Sequence, residues 1–208
     1  MLTLFKFRNP DQLNFLFDII YSKRVYCADW RAVNDPMEGL FSYTFSGPER
    51  ERHRSKLDEI VREKERYRIC SFSQTISEPL LWAHYAGGFK GFAVEIQIQN
   101  PSIHFKEVTY SDEPLIVDGD LVIDQDMAKE ALTRKRQFWH YEDEIRLLHR
   151  GTYFDLPVGS VKRIHGGIAV EDAIEKAVAD CAMKLNLDYS RTTIDQQNRL
   201  HAGSTRTD

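Results

Sequence analysis

Gly87 and Gly88 mark the point where the hydrophobic period of the chain changes, and that change constrains the fold more than any other feature. Before them, Glu78–Ala86 reads as a short helix opened by Pro79 and stopped by the two glycines. After them, Phe92, Val94, Ile96 and Ile98 alternate with Ala93, Glu95 and Gln97, the period of a half-buried strand. Arg68–Ser73 reads as a strand just ahead of the helix. Strand, helix, glycine turn and strand in such close succession predict a sheet with helices packed on it.

The rest of the chain extends this pattern. Leu2–Phe7 reads as a first strand. Asn9 is a good N-cap and Pro10 suits the first helical position, with Leu13, Leu16, Phe17 and Ile20 on one helix face. Lys23–Ala28 is a short strand, and Asn34-Asp35-Pro36 forms a turn. Pro48–Arg68 is dense in charges that nearly cancel, which predicts an exposed helix anchored by Leu57, Ile60 and Val61. Phe105–Tyr110, Glu144–His149 and Val161–Ile164 read as strands, and 124–139 as a helix with Met127, Ala131, Leu132 and Phe138 roughly on one face. Val170–Asn186 carries the clearest helical stripe, through Ile174, Ala177, Val178, Cys181, Ala182 and Leu185. Strands mixed irregularly with helices predict an α+β fold, with mixed or antiparallel sheets and flanking helices. One domain is expected over residues 1–190, with a polar, frayed tail over 191–208.

Composition narrows the function classes. Hydrophobic residues make up 42% of the chain and aromatics 12%, enough for a real core. A net charge of −4 gives no global field for nucleic acid. No apolar run is long enough for a membrane span, and no secretory leader is recognisable at Met1–Asp11. Cys27, Cys70 and Cys181 supply neither a disulfide framework nor a CxxC metal site, so reduced thiols and a cytoplasmic location are expected. Rossmann, P-loop, HExxH and GxSxG signatures are absent. The histidines lack metal-ligand spacing, so no metal is expected.

Candidate site residues fall in three segments. Glu142 and Glu144 are two apart at the start of a strand, where both would project from one face. A carboxylate there can bond a ribose hydroxyl or stabilise positive charge on a sugar; the bland alternative is a hydrophilic strand start. Ser71 and Ser73 share a strand face opposite Phe72, as phosphate or ribose contacts or as simple edge residues. Trp82, His84 and Tyr85 give the short helix an aromatic face with polar tips, for core packing or for a ligand. Lys6 and Arg8 share a face of the first strand and could pair with a pyrophosphate, Arg8 by a bidentate fork. Asn34, Asp35 and Glu38 are loop residues that turn formation explains. A Mg²⁺ nuclease built on Asp35, Glu38, Glu142 and Glu144 has carboxylates but no supporting spacing.

LFKFR, VNDPMEG, ICSFSQ, LLWAHYAGGFKGFAVEI and WHYEDEIRLL, in that order over residues 4–148, resemble the bacterial domain of unknown function 2971 family. A more distant likeness has mechanistic content. Ser71-Phe72-Ser73 before a helix with Ala83, Tyr85 and Gly91 looks like the serine motif of ADP-ribosyltransferases. YEDEIRLL looks like their glutamate motif, and a cation on the first strand would complete the order. That resemblance implies an ADP-ribosyltransferase-like fold and NAD as substrate, in an enzyme of bacterial defence or toxin type that acts in phage defence or toxin–antitoxin conflict. Lys6 or Arg8 would contact the cofactor's phosphate or ribose, and Ser71 or Ser73 would brace the nicotinamide ribose. Glu144 would stabilise the oxocarbenium, Glu142 would orient an acceptor macromolecule, and Tyr85 would wall the pocket. The competing expectation is a non-catalytic module that binds a nucleotide, a nucleic acid or a protein through Trp82, His84, Tyr85 and the charged helix.

Overall fold

The computed structural model describes residues 1–33, 35, 39–44, 50–101, 104–118, 125–197 and 199–202. Asn34 and Glu38 lie outside the described residues. Eight strands form the central sheet: Leu2–Arg8 (β1), Ala28–Asp29 (β2), Arg68–Ser73 (β3), Phe92–Ile98 (β4), Phe105–Glu107 (β5), Glu144–His149 (β6), Val161–Gly166 (β7) and Asp188–Arg191 (β8). Their order is β8-β7-β4-β1-β3-β6-β5, with β2 paired to β3. Among the described residues only β7 and β8 run parallel in this sheet; its other ladders are antiparallel. With its helices this is a mixed, mainly antiparallel α+β architecture.

Period-two alternation sorts the strand residues onto two faces. Leu4, Val94, Ile96, Phe72, Ile145 and Leu147 point to one side. Leu13–Ile20 (α1) and Asp172–Lys184 (α5) cover them with Leu16, Ile19, Ile20, Val178 and Ala182. Each such aliphatic side chain contributes about 1.5–3 kcal/mol on full burial. On the opposite side Phe7 and Ala93 pack against Leu81, Trp82 and Ala86, around the helix Pro79–Tyr85 (α3). Pro79 starts α3, and the Glu78 carboxylate caps it by accepting from Leu80 N at 2.9 Å. Gly87 and Gly88 then take positive φ values of 58° and 67°, which lets the chain turn straight into β4.

The sheet is nearly cut in two. β1 is zipped to β4 along seven pairs, from Leu2–Ile98 to Arg8–Phe92. β3 is zipped to β6 along six, from Glu144–Ser73 to His149–Arg68. Between β1 and β3, among the described residues, the register is the single pair Phe5–Ser73. Past that pair the strands splay, and backbone groups that a closed ladder would satisfy need other partners. Lys6 supplies one: its Nζ donates to Ser71 O at 2.5 Å.

Three expectations need correction. The helix expected over 124–139 is shorter. The helix Gln125–Leu132 (α4) ends there; Arg134–Lys135 then pairs with Thr109–Tyr110, and Gln137–Glu142 forms a 3-10 helix. The apolar stripe through Met127, Ala131 and Leu132 is genuine, but Phe138 lies on another element and is exposed. The polar tail expected from residue 191 starts too early, because Arg191 closes β8 against Gly166. Beyond it Thr193–Ile194 pairs with Leu200–His201, and Leu200 is buried in the α3 cluster. The strand expected to end at Ile164 runs on to Gly166. The charged segment does form a helix, Arg50–Lys64 (α2).

Candidate functional site

The splay between β1 and β3 opens a cavity of about 310 Å³, at the lower end of the usual range for small-molecule sites. Its walls come from both faces of the sheet, because it passes through the gap between the strands. Lys6 and Arg8 enter from β1, and Ser71 and Ser73 from β3. Glu144 comes from β6, Glu142 from the 3-10 helix, Tyr85 from the end of α3, and Lys135 from its two-residue strand. Phe15 and Tyr26 close the side nearest α1, their rings 5.1 Å apart.

The carboxylates come together by a route the period-two expectation did not contain. Glu142 is the last residue of the 3-10 helix, and Asp143 takes a left-handed conformation with φ 43°. The strand begins only at Glu144. The two glutamates are instead gathered by Lys135, whose Nζ lies 2.5 Å from Glu142 Oε2 and 3.0 Å from Glu144 Oε2. Arg146, two residues along β6 on the same face, clamps Glu144 from the other side. Its Nε donates to Oε1 at 2.8 Å and its Nη2 to Oε2 at 3.1 Å. A third guanidinium nitrogen, Nη1, donates to Leu132 O at 2.7 Å. Tyr85 donates its hydroxyl to Glu142 Oε1.

Electrostatics follow from this wiring. Burial alone would raise the Glu144 carboxyl, but Arg146 and Lys135 override it and hold the group well below the usual carboxylate range. Glu142 goes the other way: burial raises it, and Lys135 only partly compensates. Burial also lowers Lys6 and Arg8 from their ordinary values. Arg8 is the less satisfied cation. Its Nη1 reaches Phe7 O only at 3.4 Å, its Nε is buried with no hydrogen-bond partner among the described residues, and the guanidinium sits 5.5 Å over the Phe15 ring.

Seven of the nine residues expected at the site line this one cavity: Lys6, Arg8, Ser71, Ser73, Tyr85, Glu142 and Glu144. Trp82 and His84 do not line it. Trp82 is fully buried, packs edge-on against Phe7 at 5.2 Å and donates Nε1 to Ile76 O at 2.7 Å. Its polar tip serves the core. His84 is exposed on the outer side of α3, 6.3 Å from the Tyr141 ring. Lys135, Arg146, Phe15 and Tyr26 were missed. Arg146 was within reach, since it stands two positions after Glu144 on the same strand face. Lys135 carried no signal, because its segment reads as helix.

Among the described residues no group of three His, Cys, Asp or Glu side chains could hold a metal ion. No described helix is long and apolar enough to cross a membrane. Compared with known proteins, the chain matches no family model, and neither a curated protein nor a solved structure is significantly similar to it.

Proposed function

We propose that the protein is an ADP-ribosyltransferase-like enzyme that binds NAD in the cleft between β1 and β3. The observation that carries this reading is the convergence of cations, serines, a tyrosine and paired glutamates, from separate segments, on one cavity. Lys6 and Arg8 suit the pyrophosphate, Arg8 having donor capacity left over. Ser71 and Ser73 suit the nicotinamide ribose, and Tyr26 and Phe15 offer flat walls for a ring. In the reaction the bond from ribose C1′ to the nicotinamide nitrogen breaks, and nicotinamide leaves with the electron pair. The acceptor's nucleophile bonds to C1′ and loses its proton. A carboxylate of the cleft would offset the positive charge that develops on the sugar.

A test is nicotinamide release from labelled NAD, with cell lysate or nucleic acid as acceptor, beside Arg8→Ala and Glu142→Gln. Release by the wild type that falls in both variants supports the reading. Neither release nor binding by the wild type would overturn it.

A second reading has its own support. Glu144 is held by two cations, as in a fixed structural ion cluster, which favours a nucleotide-binding module without turnover. That reading expects NAD or ADP-ribose to raise the melting temperature while no nicotinamide is released.

A further inference from the structure

Two carboxylates line the cleft, and a carboxylate has about four acceptor positions. Glu144 has three of its own filled by cations. It accepts from Arg146 Nε at 2.8 Å, Arg146 Nη2 at 3.1 Å and Lys135 Nζ at 3.0 Å. Arg146 by itself already balances its charge, and Lys135 adds a second cation. Among the described residues Glu142 accepts only from Tyr85 and Lys135, which leaves two of its positions, and it lines the cavity. It also sits off the sheet, on the 3-10 helix, rather than inside a ladder.

We infer that Glu142 is the carboxylate that meets the hydroxyls of a bound nucleotide sugar, and that Glu144 is a positioning residue that fixes Lys135 and, through it, Glu142. This rests on the nucleotide reading of the cavity given above. It reverses the roles that the glutamate-motif likeness implies for the pair. The physical reason is Arg146: a guanidinium clamped on Glu144 cancels the negative charge and occupies the lone pairs that a ribose hydroxyl or an oxocarbenium would need. Tyr85 has a part in the same device, because its donated bond orients Glu142 Oε1 and leaves the second lone pair of that oxygen for the ligand.

The experiment measures ADP-ribose affinity by calorimetry and nicotinamide release from NAD, in Glu142→Gln, Glu144→Gln and the charge-balanced pair Glu144→Gln with Arg146→Met. Melting temperatures identify variants that fold. Glu142→Gln is expected to weaken ADP-ribose binding by roughly tenfold and to cut release by roughly 100-fold or more, with little change in melting temperature. The Glu144 variants are expected to keep binding within about threefold, as a lost indirect contact should. They should also move the acidic limb of the release profile to lower pH, because Glu144 raises the Glu142 carboxyl. A folded Glu144 variant that loses binding as fully as Glu142→Gln overturns the assignment, and so does a Glu142→Gln protein that binds normally. Should the wild type bind no ADP-ribose and release no nicotinamide, the nucleotide reading falls and the assignment with it.

Discussion

Arg146 and Glu144 stand two residues apart on one strand face and form a two-pronged ion pair buried in the sheet, with Arg146 fully shielded from solvent. Together with Lys135 and Glu142 they make a cluster of two cations and two anions. Removing Arg146 alone leaves a net buried negative charge, so Arg146→Met is expected to cost about 3–5 kcal/mol. Removing Glu144 in the same protein restores neutrality and should recover most of that loss. Urea denaturation of both single variants and the double variant closes the cycle.

Lys6 stands in for a missing strand pairing by donating to the Ser71 carbonyl, and its ammonium sits 5.4 Å over the Phe72 ring. Lys6→Met keeps the stem and removes the donor. It is expected to lower stability by about 1–3 kcal/mol, the cost of a buried carbonyl left unpaired. The same variant should weaken NAD binding in calorimetry, since the cation lines the cavity.

Gly91 marks the tightest backbone approach beside the site. A Cβ there would lie 2.1 Å from Arg8 O, and 3.0 Å from Ala86 O. Both neighbours are backbone, so neither can swing aside. Gly91→Ala is expected to destabilise by about 1–3 kcal/mol or more and to displace Arg8 from the cleft. Loss of ligand affinity beyond the change in stability would show the displacement.

His165 gives the pH dependence a defined sign. Burial lowers its pKa; Ser190 Oγ lies 2.9 Å from Nδ1, and Glu95 Oε2 lies 3.3 Å from Nε2. Arg163 opposes its protonation, and the Phe5 ring stands 6.0 Å away. The unfolded chain therefore takes up a proton first as pH falls below about 6.5. Stability present above that value is lost toward acid, and Glu144, held low, adds a loss of the same sign below about 4.3. Glu142, held high, has the opposite sign over its own window. Thermal melts from pH 7.5 to 5 should fall for the wild type and fall less for His165→Gln.

The strands were legible where one face is oily and the other polar. Phe92–Ile98 declares its own period, and residues Glu144–His149 follow an obvious apolar run. Residues 133–141 were not legible, since a stretch with helix-compatible composition there breaks into a two-residue strand and a 3-10 turn. Tertiary pairing of Lys135 with Tyr110, not local propensity, decides that break. Site residues chosen by type and order reached the cleft in most cases. Trp82 did not, because a buried indole needs only one acceptor, and Ile76 O provides it. Which glutamate is free to act depends on a partner's geometry, and periodicity alone does not reveal that.

The lone Phe5–Ser73 bridge has a consequence for engineering this fold. Every hydrogen bond that would zip β1 onto β3 beyond that bridge would also fill the space a guest needs. Rigidity and occupancy thus compete for the same few residues, Lys6 to Arg8 and Cys70 to Phe72. On the nucleotide-binding reading proposed above, selection for heat resistance alone is expected to drift toward sealing this seam and to cost ligand affinity. Selection under ligand will hold it ajar.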